Sequence, residues 1–204
     1  MRKINVKLIS LLIMTMLFLI SCGGKTENKN VSQADKNENK KVLVLYYSNT
    51  KNTETVAKKI REIANNTKGM QVDLVKVEEA EPYKQETMAD IVKKQINEKI
   101  FPEIKPLNIK LEEYDLVIIG TPTWIGYPAL PLAKYLKNQD FTGKKIAIFA
   151  TYTANPGEIL KNTETYIKGG TFISGLKIKS EDIKTDKYTN TLEKWILASV
   201  LNSK

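Results

Sequence analysis

Hydrophobic and polar positions divide the chain into three stretches. Residues 8–20 are an almost unbroken apolar run of 13 positions, preceded by Arg2, Lys3 and Lys7. A bilayer-spanning helix needs about 20 such residues, so the run is short for one and has the make-up of an export signal over residues 1–21. The pattern then inverts. Across residues 23–40 only Val31 and Ala34 are apolar, too few to repay the entropy of ordering, which predicts a flexible polar linker over 22–40. From residue 41 to 204 apolar residues return in runs and at helical spacings, as one domain requires.

Within that domain, Lys41-Val-Leu-Val-Leu-Tyr-Tyr47 is a near-continuous apolar run, the mark of a strand buried on both faces. Val56, Ala57, Ile60, Ile63 and Ala64 recur at helical spacing over residues 52–66. Val72 to Val77 predicts a second strand, and residues 87–100 a second helix that Pro102 and Pro106 bring to a stop. Leu116-Val-Ile-Ile-Gly120 and Lys145-Ile-Ala-Ile-Phe-Ala150 are two further buried strands, separated by a helix over 129–138. Pro156 suits the first turn of a helix reaching about Lys168. A last strand over 171–179 and a closing helix over 186–201 complete the series. Strands alternating with helices predict an α/β fold: a doubly wound, five-stranded parallel sheet with helices on both faces.

Composition narrows the chemistry. There is no histidine and only one cysteine, which excludes His-based triads, most catalytic zinc sites, an internal disulfide and a CxxC centre. Nothing marks a catalytic residue or a metal ligand. The net charge of +9 is uneven: residues 1–21 carry +3, residues 22–41 carry +2, and the remaining domain +4. Lysines scattered among glutamates form a solvated face, and nucleic acid is not an expected partner. The lone Cys22 follows Leu19-Ile20-Ser21, which resembles the lipobox of bacterial lipoproteins. The resemblance implies cleavage before Cys22, lipid on its thiol, and an extracytoplasmic domain tethered to a membrane.

Doubly wound sheets bind ligands outside the carboxyl ends of their strands, at the point where strand order reverses. The loops to inspect are therefore 48–53, 121–128 and 151–157. The first reads Ser48-Asn49-Thr50-Lys51-Asn52-Thr53, directly after a strand and opening a helix. Its hydroxyls, amides and free backbone N–H groups suit a single phosphate monoester. It is too short and too poor in glycine for a Walker loop, and it lacks GxGxxG. Ser, Thr and Asn are also capping residues, so a plain helix cap is the competing account. The second loop carries Thr121, Pro122, Thr123, Trp124, Ile125 and Gly126, then Tyr127. Its aromatic rings can stack on a flat ligand, or simply pack. The third offers Thr151, Tyr152 and Thr153. Phosphate at one loop and aromatics at two others describe a mononucleotide with a large ring system.

These motifs resemble the flavodoxins and flavodoxin-like FMN proteins over residues 42–180. Ser48, Thr50 and Thr53, with Asn52, are similar to the family's Ser/Thr-x-Thr-Gly-x-Thr phosphate pattern, with Lys51 standing where glycine is usual. Residues 119–126 (Ile-Gly-Thr-Pro-Thr-Trp-Ile-Gly) resemble the Gly-x-Pro-x-Trp-Trp-Gly loop of one branch, with Ile125 in place of the second tryptophan. The resemblance implies a flavodoxin-like sheet in the order 2-1-3-4-5 and FMN as cofactor. Ser48, Asn49, Thr50, Lys51, Asn52 and Thr53 would hold the phosphate. Thr121 to Gly126 and Thr151 to Thr153 would flank the isoalloxazine, with Trp124 on one face, Tyr152 on the other, and the Ile125–Gly126 peptide near flavin N5. The implied function is electron transfer with redox partner proteins or small quinone-like acceptors. Two alternatives stand beside it: an FMN-dependent quinone or small-molecule reductase, and a non-redox binding lipoprotein that keeps only the fold.

Overall fold

The computed structural model of the protein describes residues 40–202. The export signal, Cys22 and the expected linker as far as residue 39 lie outside the described residues; Lys40, expected to end the linker, opens β1. The elements run β1 (Lys40–Tyr46), α1 (Asn52–Asn65), β2 (Met70–Lys76), α2 (Met88–Glu98), β3 (Leu116–Trp124), β4 (Tyr127–Pro128), α3 (Leu130–Lys137), β5 (Lys145–Tyr152), α4 (Ile159–Glu164), β6 (Thr171–Lys179), α5 (Ser180–Lys184) and α6 (Thr189–Asn202). Among the described residues no helix is long and apolar enough to cross a membrane.

The five long strands are parallel and lie in the order β2-β1-β3-β5-β6. Numbered without the two-residue β4, this is the expected 2-1-3-4-5 arrangement. The two-residue period of a strand explains why their sequences are so apolar. Val42, Val44 and Tyr46 of β1, Leu116 and Ile118 of β3, and Ala147 and Phe149 of β5 face a core completed by α1 and α6. Leu43, Leu45, Val117, Ile119, Ile146 and Ile148 face the opposite way, onto Leu132, Tyr135 and Leu136 of α3. Each valine, leucine, isoleucine or phenylalanine among them, withdrawn from water, contributes about 1.5–3 kcal/mol.

Four expectations need correcting. β3 continues through Thr121–Trp124 and β5 through Tyr152, so two predicted loops begin as strand. The unforeseen β4 folds back antiparallel on β3, pairing Thr123 with Pro128 and Trp124 with Tyr127. Helix α4 spans six residues rather than thirteen. Gly157, at φ 52°, keeps the chain out of helical geometry after Pro156, while Thr163 and Thr165 turn their hydroxyls onto the carbonyls of Ile159 and Asn162. An unforeseen short helix, α5, precedes the closing helix, which starts at Thr189 rather than 186 because Asp186 adopts φ 56°.

Candidate functional site

Between β1 and β3 the chain leaves the sheet in opposite directions, because β2 lies on one side of β1 and β3 on the other. The first loop leaves β1 there. Lys51 occupies the N-cap position of α1 with φ 69° and ψ −11°, the left-handed conformation in which glycine is at ease. A lysine therefore takes up the backbone geometry of the glycine it replaces. No side chain caps this helix, so the hydroxyls of the loop are not spent as the plain-cap account requires. The first backbone N–H groups of α1 remain directed out of the helix end, where an anion is stabilised. Thr50 and Lys51 are exposed, Asn49 and Asn52 half-buried, and Ser48 and Thr53 buried.

The second segment is a hairpin rather than an open loop. Ile125 (φ 52°) and Gly126 (φ 80°) are the two central residues between Trp124 and Tyr127, the pair of positive φ values that a type I′ turn needs. Ile125 is β-branched and 63% exposed, so the turn holds an isoleucine in a conformation that is steeply disfavoured for it. Asn162 of α4 secures the turn, donating its amide N–H to the Gly126 carbonyl at 2.8 Å. At the base of the hairpin Thr121 is wholly buried, accepting the Ala129 N–H at 2.9 Å and donating to the Pro122 carbonyl at 2.9 Å. Both of its capacities serve the hairpin.

Trp124 is held from two sides. The rings of Tyr47 and Tyr83 meet it edge to face, each with centroids 5.4 Å away. Tyr47 donates to Glu79 at 3.1 Å and Tyr83 to Gln95 at 2.9 Å. Burial pushes the Tyr83 phenol up to about 12, and burial with the neighbouring Glu79 pushes Tyr47 up further. Both are therefore neutral donors at physiological pH. With Met88, Val92 and Ile125, Trp124 lines a hollow of about 260 Å³. Asn49 reaches the same helix, its amide 3.1 Å from the Met88 sulfur.

The three segments are tied together by hydroxyls. Thr53 and Thr151 share a buried hydrogen bond of 2.8 Å, joining the first loop to β5. Ser180, at the junction of β6 and α5, accepts from the Asn52 amide at 3.1 Å and donates to the Tyr152 carbonyl at 3.0 Å. Its oxygen also lies 3.4 Å from the Thr153 hydroxyl. The sequence reading missed Ser180. The signal was available, since Ser180 closes the last strand at its carboxyl end, where such sheets bind ligands. It missed the clamps Tyr47, Tyr83 and Asn162 as well.

Two hydroxyls in these segments are left over. Ser48 Oγ and Thr123 Oγ1 are buried without a hydrogen-bond partner; the only other such side-chain atom among the described residues is Trp195 Nε1 on α6. A buried hydroxyl without a partner is destabilising by about 1–3 kcal/mol, so its presence calls for a reason. One stands beside the free helix N-terminus and the other beside Trp124. A phosphate at the first and the polar edge of a ring at the second would satisfy both. Gly120 completes the constraint: a Cβ there would lie 2.2 Å from the Phe149 ring, so the strand between the two sites admits no side chain.

A doubly wound α/β domain with an anion cradle after its first strand and an aromatic hairpin after its third belongs to the mononucleotide-binding class. Residues 41–197 match the Flavodoxin family, and the chain belongs to it. A flavoprotein from Lactobacillus acidophilus, solved in complex with FMN, is 30% identical with a TM-score of 0.57, the likeness covering 74% of this chain and 99% of that one. Oxidised flavodoxin 2 from Bacillus cereus shares the fold at 23% identity and a TM-score of 0.53, covering 79% of this chain and 99% of that one. An NAD(P)H dehydrogenase (quinone) from Chromohalobacter salexigens is 34% identical over 103 residues. That match spans 47% of this chain and 45% of the relative's length.

Proposed function

We propose that the domain binds FMN and passes electrons between redox partners, and that it does so outside the cytoplasm on a lipid anchor at Cys22. The observation that carries the cofactor assignment is the orphaned Ser48 hydroxyl, buried beside an uncapped helix N-terminus in a chain of the Flavodoxin family. Ser48, Thr50, Asn52 and the first amides of α1 hold the phosphate, with Lys51 supplying a positive charge. Thr53 acts one step back, locked to Thr151. Trp124, clamped by Tyr47 and Tyr83, offers a fixed wall to the ring system, and Tyr152 stands at the carboxyl end of β5. FMN supplies the redox chemistry when bound; the chain binds it, orients it and sets its surroundings.

The test uses the protein's visible spectrum and one substitution. Purified protein should carry FMN. Ser48→Ala removes a buried hydroxyl that has no protein partner, so apo stability should not fall and should rise by up to about 1–3 kcal/mol. Its bond to a charged phosphate is worth about 1.5–3 kcal/mol, so FMN affinity should fall at least tenfold. Riboflavin, lacking the phosphate, should bind both forms equally. A colourless protein that takes up no FMN ends this reading, and equal losses for FMN and riboflavin would remove the phosphate from the first loop.

The anchor rests on the lipobox-like Leu19-Ile20-Ser21-Cys22 after the apolar run. Cys22→Ser should abolish lipidation and membrane partitioning, with the flavin spectrum unaltered; a mutant that still carries lipid would remove the anchor assignment. The quinone reductase reading is favoured by the 34% identity to a quinone dehydrogenase. Steady turnover of a quinone with NADPH would establish it over electron carriage alone.

A further inference from the structure

A hollow of about 340 Å³ is walled by the end of α2, the segment after it, β4, the end of α3 and the chain beyond α4. It shares no lining residue with the hollow beside Trp124, and none of the proposed FMN contacts borders it. Three of its walls are aromatic. Phe101 and Tyr166 meet edge to face with centroids 5.9 Å apart, and Tyr127 stands 38% exposed on the hairpin. Two of its walls are cationic. The Lys137 ammonium lies 5.0 Å from the centroid of the Phe101 ring, and Lys99 borders the hollow from the end of α2.

The charge is unbalanced. No carboxylate lines the hollow. Eight other lysines of the domain, among them Lys41, Lys58, Lys105 and Lys179, lie within 4.0 Å of an Asp or Glu oxygen. Among the described residues Lys99 and Lys137 form no such ion pair. A lysine at a helix C-terminus is ordinarily explained by the helix dipole. The dipole does not explain why two of them border one hollow with three rings.

We propose that this hollow binds a small aromatic acid, one or two fused rings bearing a carboxylate or sulfonate. The rings pack against Phe101, Tyr127 and Tyr166, and the anion is held by Lys99 and Lys137 with the Gln95 amide beside them. The volume sits at the lower end of small-ligand sites, about 300–1,000 Å³, which limits the ligand to that size. The site is separate from the proposed FMN site and does not depend on it. It is nonetheless linked to the hairpin: Tyr127 pairs with Trp124 across β3 and β4, and Gln95 accepts from the Tyr83 phenol that packs on Trp124.

The test titrates the FMN-loaded full chain by calorimetry with 2-naphthoate and with the neutral 2-naphthalenemethanol. Naphthoate should bind at least tenfold more tightly than the alcohol. In the variant carrying Lys99→Gln and Lys137→Gln that preference should vanish, with the alcohol's affinity changed less than twofold. Phe101→Leu with Tyr166→Leu should weaken both probes; if that variant does not fold, the exposed lysine pair decides alone, with circular dichroism as its control. Equal affinity for the two probes, no binding of naphthoate, or a preference that survives in the glutamine variant overturns the proposal. So does displacement of naphthoate by added FMN in the apo chain, which would place the probe in the flavin site. A chain that takes up no FMN but still prefers naphthoate would sink the flavin reading and leave this one standing.

Discussion

The two ends of the sheet are built on different principles. At the amino end the strands are closed by charge and by phenols. Lys41 lies 2.7 Å from Glu113 and 3.6 Å from Asp73, Tyr114 donates to Asp73 at 2.9 Å, and Lys144 donates to the Tyr114 carbonyl at 3.0 Å. At the carboxyl end the three loops over 48–53, 121–128 and 151–157 contribute no residue to an ion pair among the described residues, although Lys179–Glu181 and Lys76–Glu78 pair beside them. The loops are joined by neutral hydroxyls, hold Lys51, Ile125 and Gly126 at positive φ, and leave Ser48 and Thr123 unsatisfied. The first end is finished as it stands. The second is organised around something the protein itself does not supply, and the unfavourable backbone and polar terms collect there.

The largest expected effect tests how tightly the carboxyl end is packed. Gly120→Ala would place a methyl group within 2.2 Å of the Phe149 ring, and overpacking of this kind is destabilising by about 1–3 kcal/mol. Thermal unfolding should fall by roughly 2–4 °C per kcal/mol for a domain of this size. Adding Phe149→Leu should recover part of the loss. An unchanged melting temperature would show that the strand yields easily and that the contrast between the ends is overstated.

A smaller effect follows from the hydroxyl pair. Thr53→Val or Thr151→Val alone strands a buried partner, at about 1–2 kcal/mol each. The double valine variant removes both groups and should be destabilised by less than the sum of the two. Strict additivity in urea unfolding would mean that the 2.8 Å contact does not join the loops energetically.

The gentlest probe is pH, and it sets the two ends against each other. Burial holds Tyr83 at the carboxyl end and Tyr114 at the amino end at about 12, Tyr114 also being hydrogen-bonded to Asp73. A folded value above the unfolded 10 means that the folded state binds the proton more tightly. Their contribution is therefore complete below pH 10 and is lost as pH rises toward 12. On the acid side the Lys41 hydrogen bond lowers Glu113 below the usual carboxylate range, so stability there is lost as pH falls. Tyr83→Phe should soften only the alkaline limb and Lys41→Met the acid limb, in urea titrations of the apo protein. A Tyr83→Phe protein that loses stability equally at all pH values would show that the hydroxyl acts through its hydrogen bond to Gln95 and not through its ionisation.

The strands were legible because buried parallel strands leave near-continuous apolar runs, and their order was implied by the resemblance to the flavodoxins. The first loop stood out too, since its hydroxyl and amide residues are contiguous after a strand. What could not be read depended on backbone strain or on contacts remote in sequence. Nothing in Ile125 announces a turn residue, because isoleucine tolerates that conformation only when Asn162 and the β3–β4 pairing impose it. Nothing in Lys51 announces a left-handed cap, since the usual signal is glycine. The thirteen-residue helix expected after Pro156 ignored Gly157 and the hydroxyls of Thr163 and Thr165, all three visible in the sequence. Ser180 and Asn52 stand 128 positions apart, and only the closed sheet brings them together.

That separation also bears on how the molecule comes to be folded. The hydroxyl bonds that fasten the first loop to the rest span 98 and 128 residues, whereas Thr153 and Ser180 are 27 apart. Closing the longest of these loops rather than the shortest is entropically dearer by about 1.4 kcal/mol. The β5–β6 end of the sheet is thus expected to meet early and the first loop late, whichever strand leaves the ribosome first. A loop completed last closes on a sheet that is already formed, so the proposed FMN site is assembled only once the rest of the domain is in place.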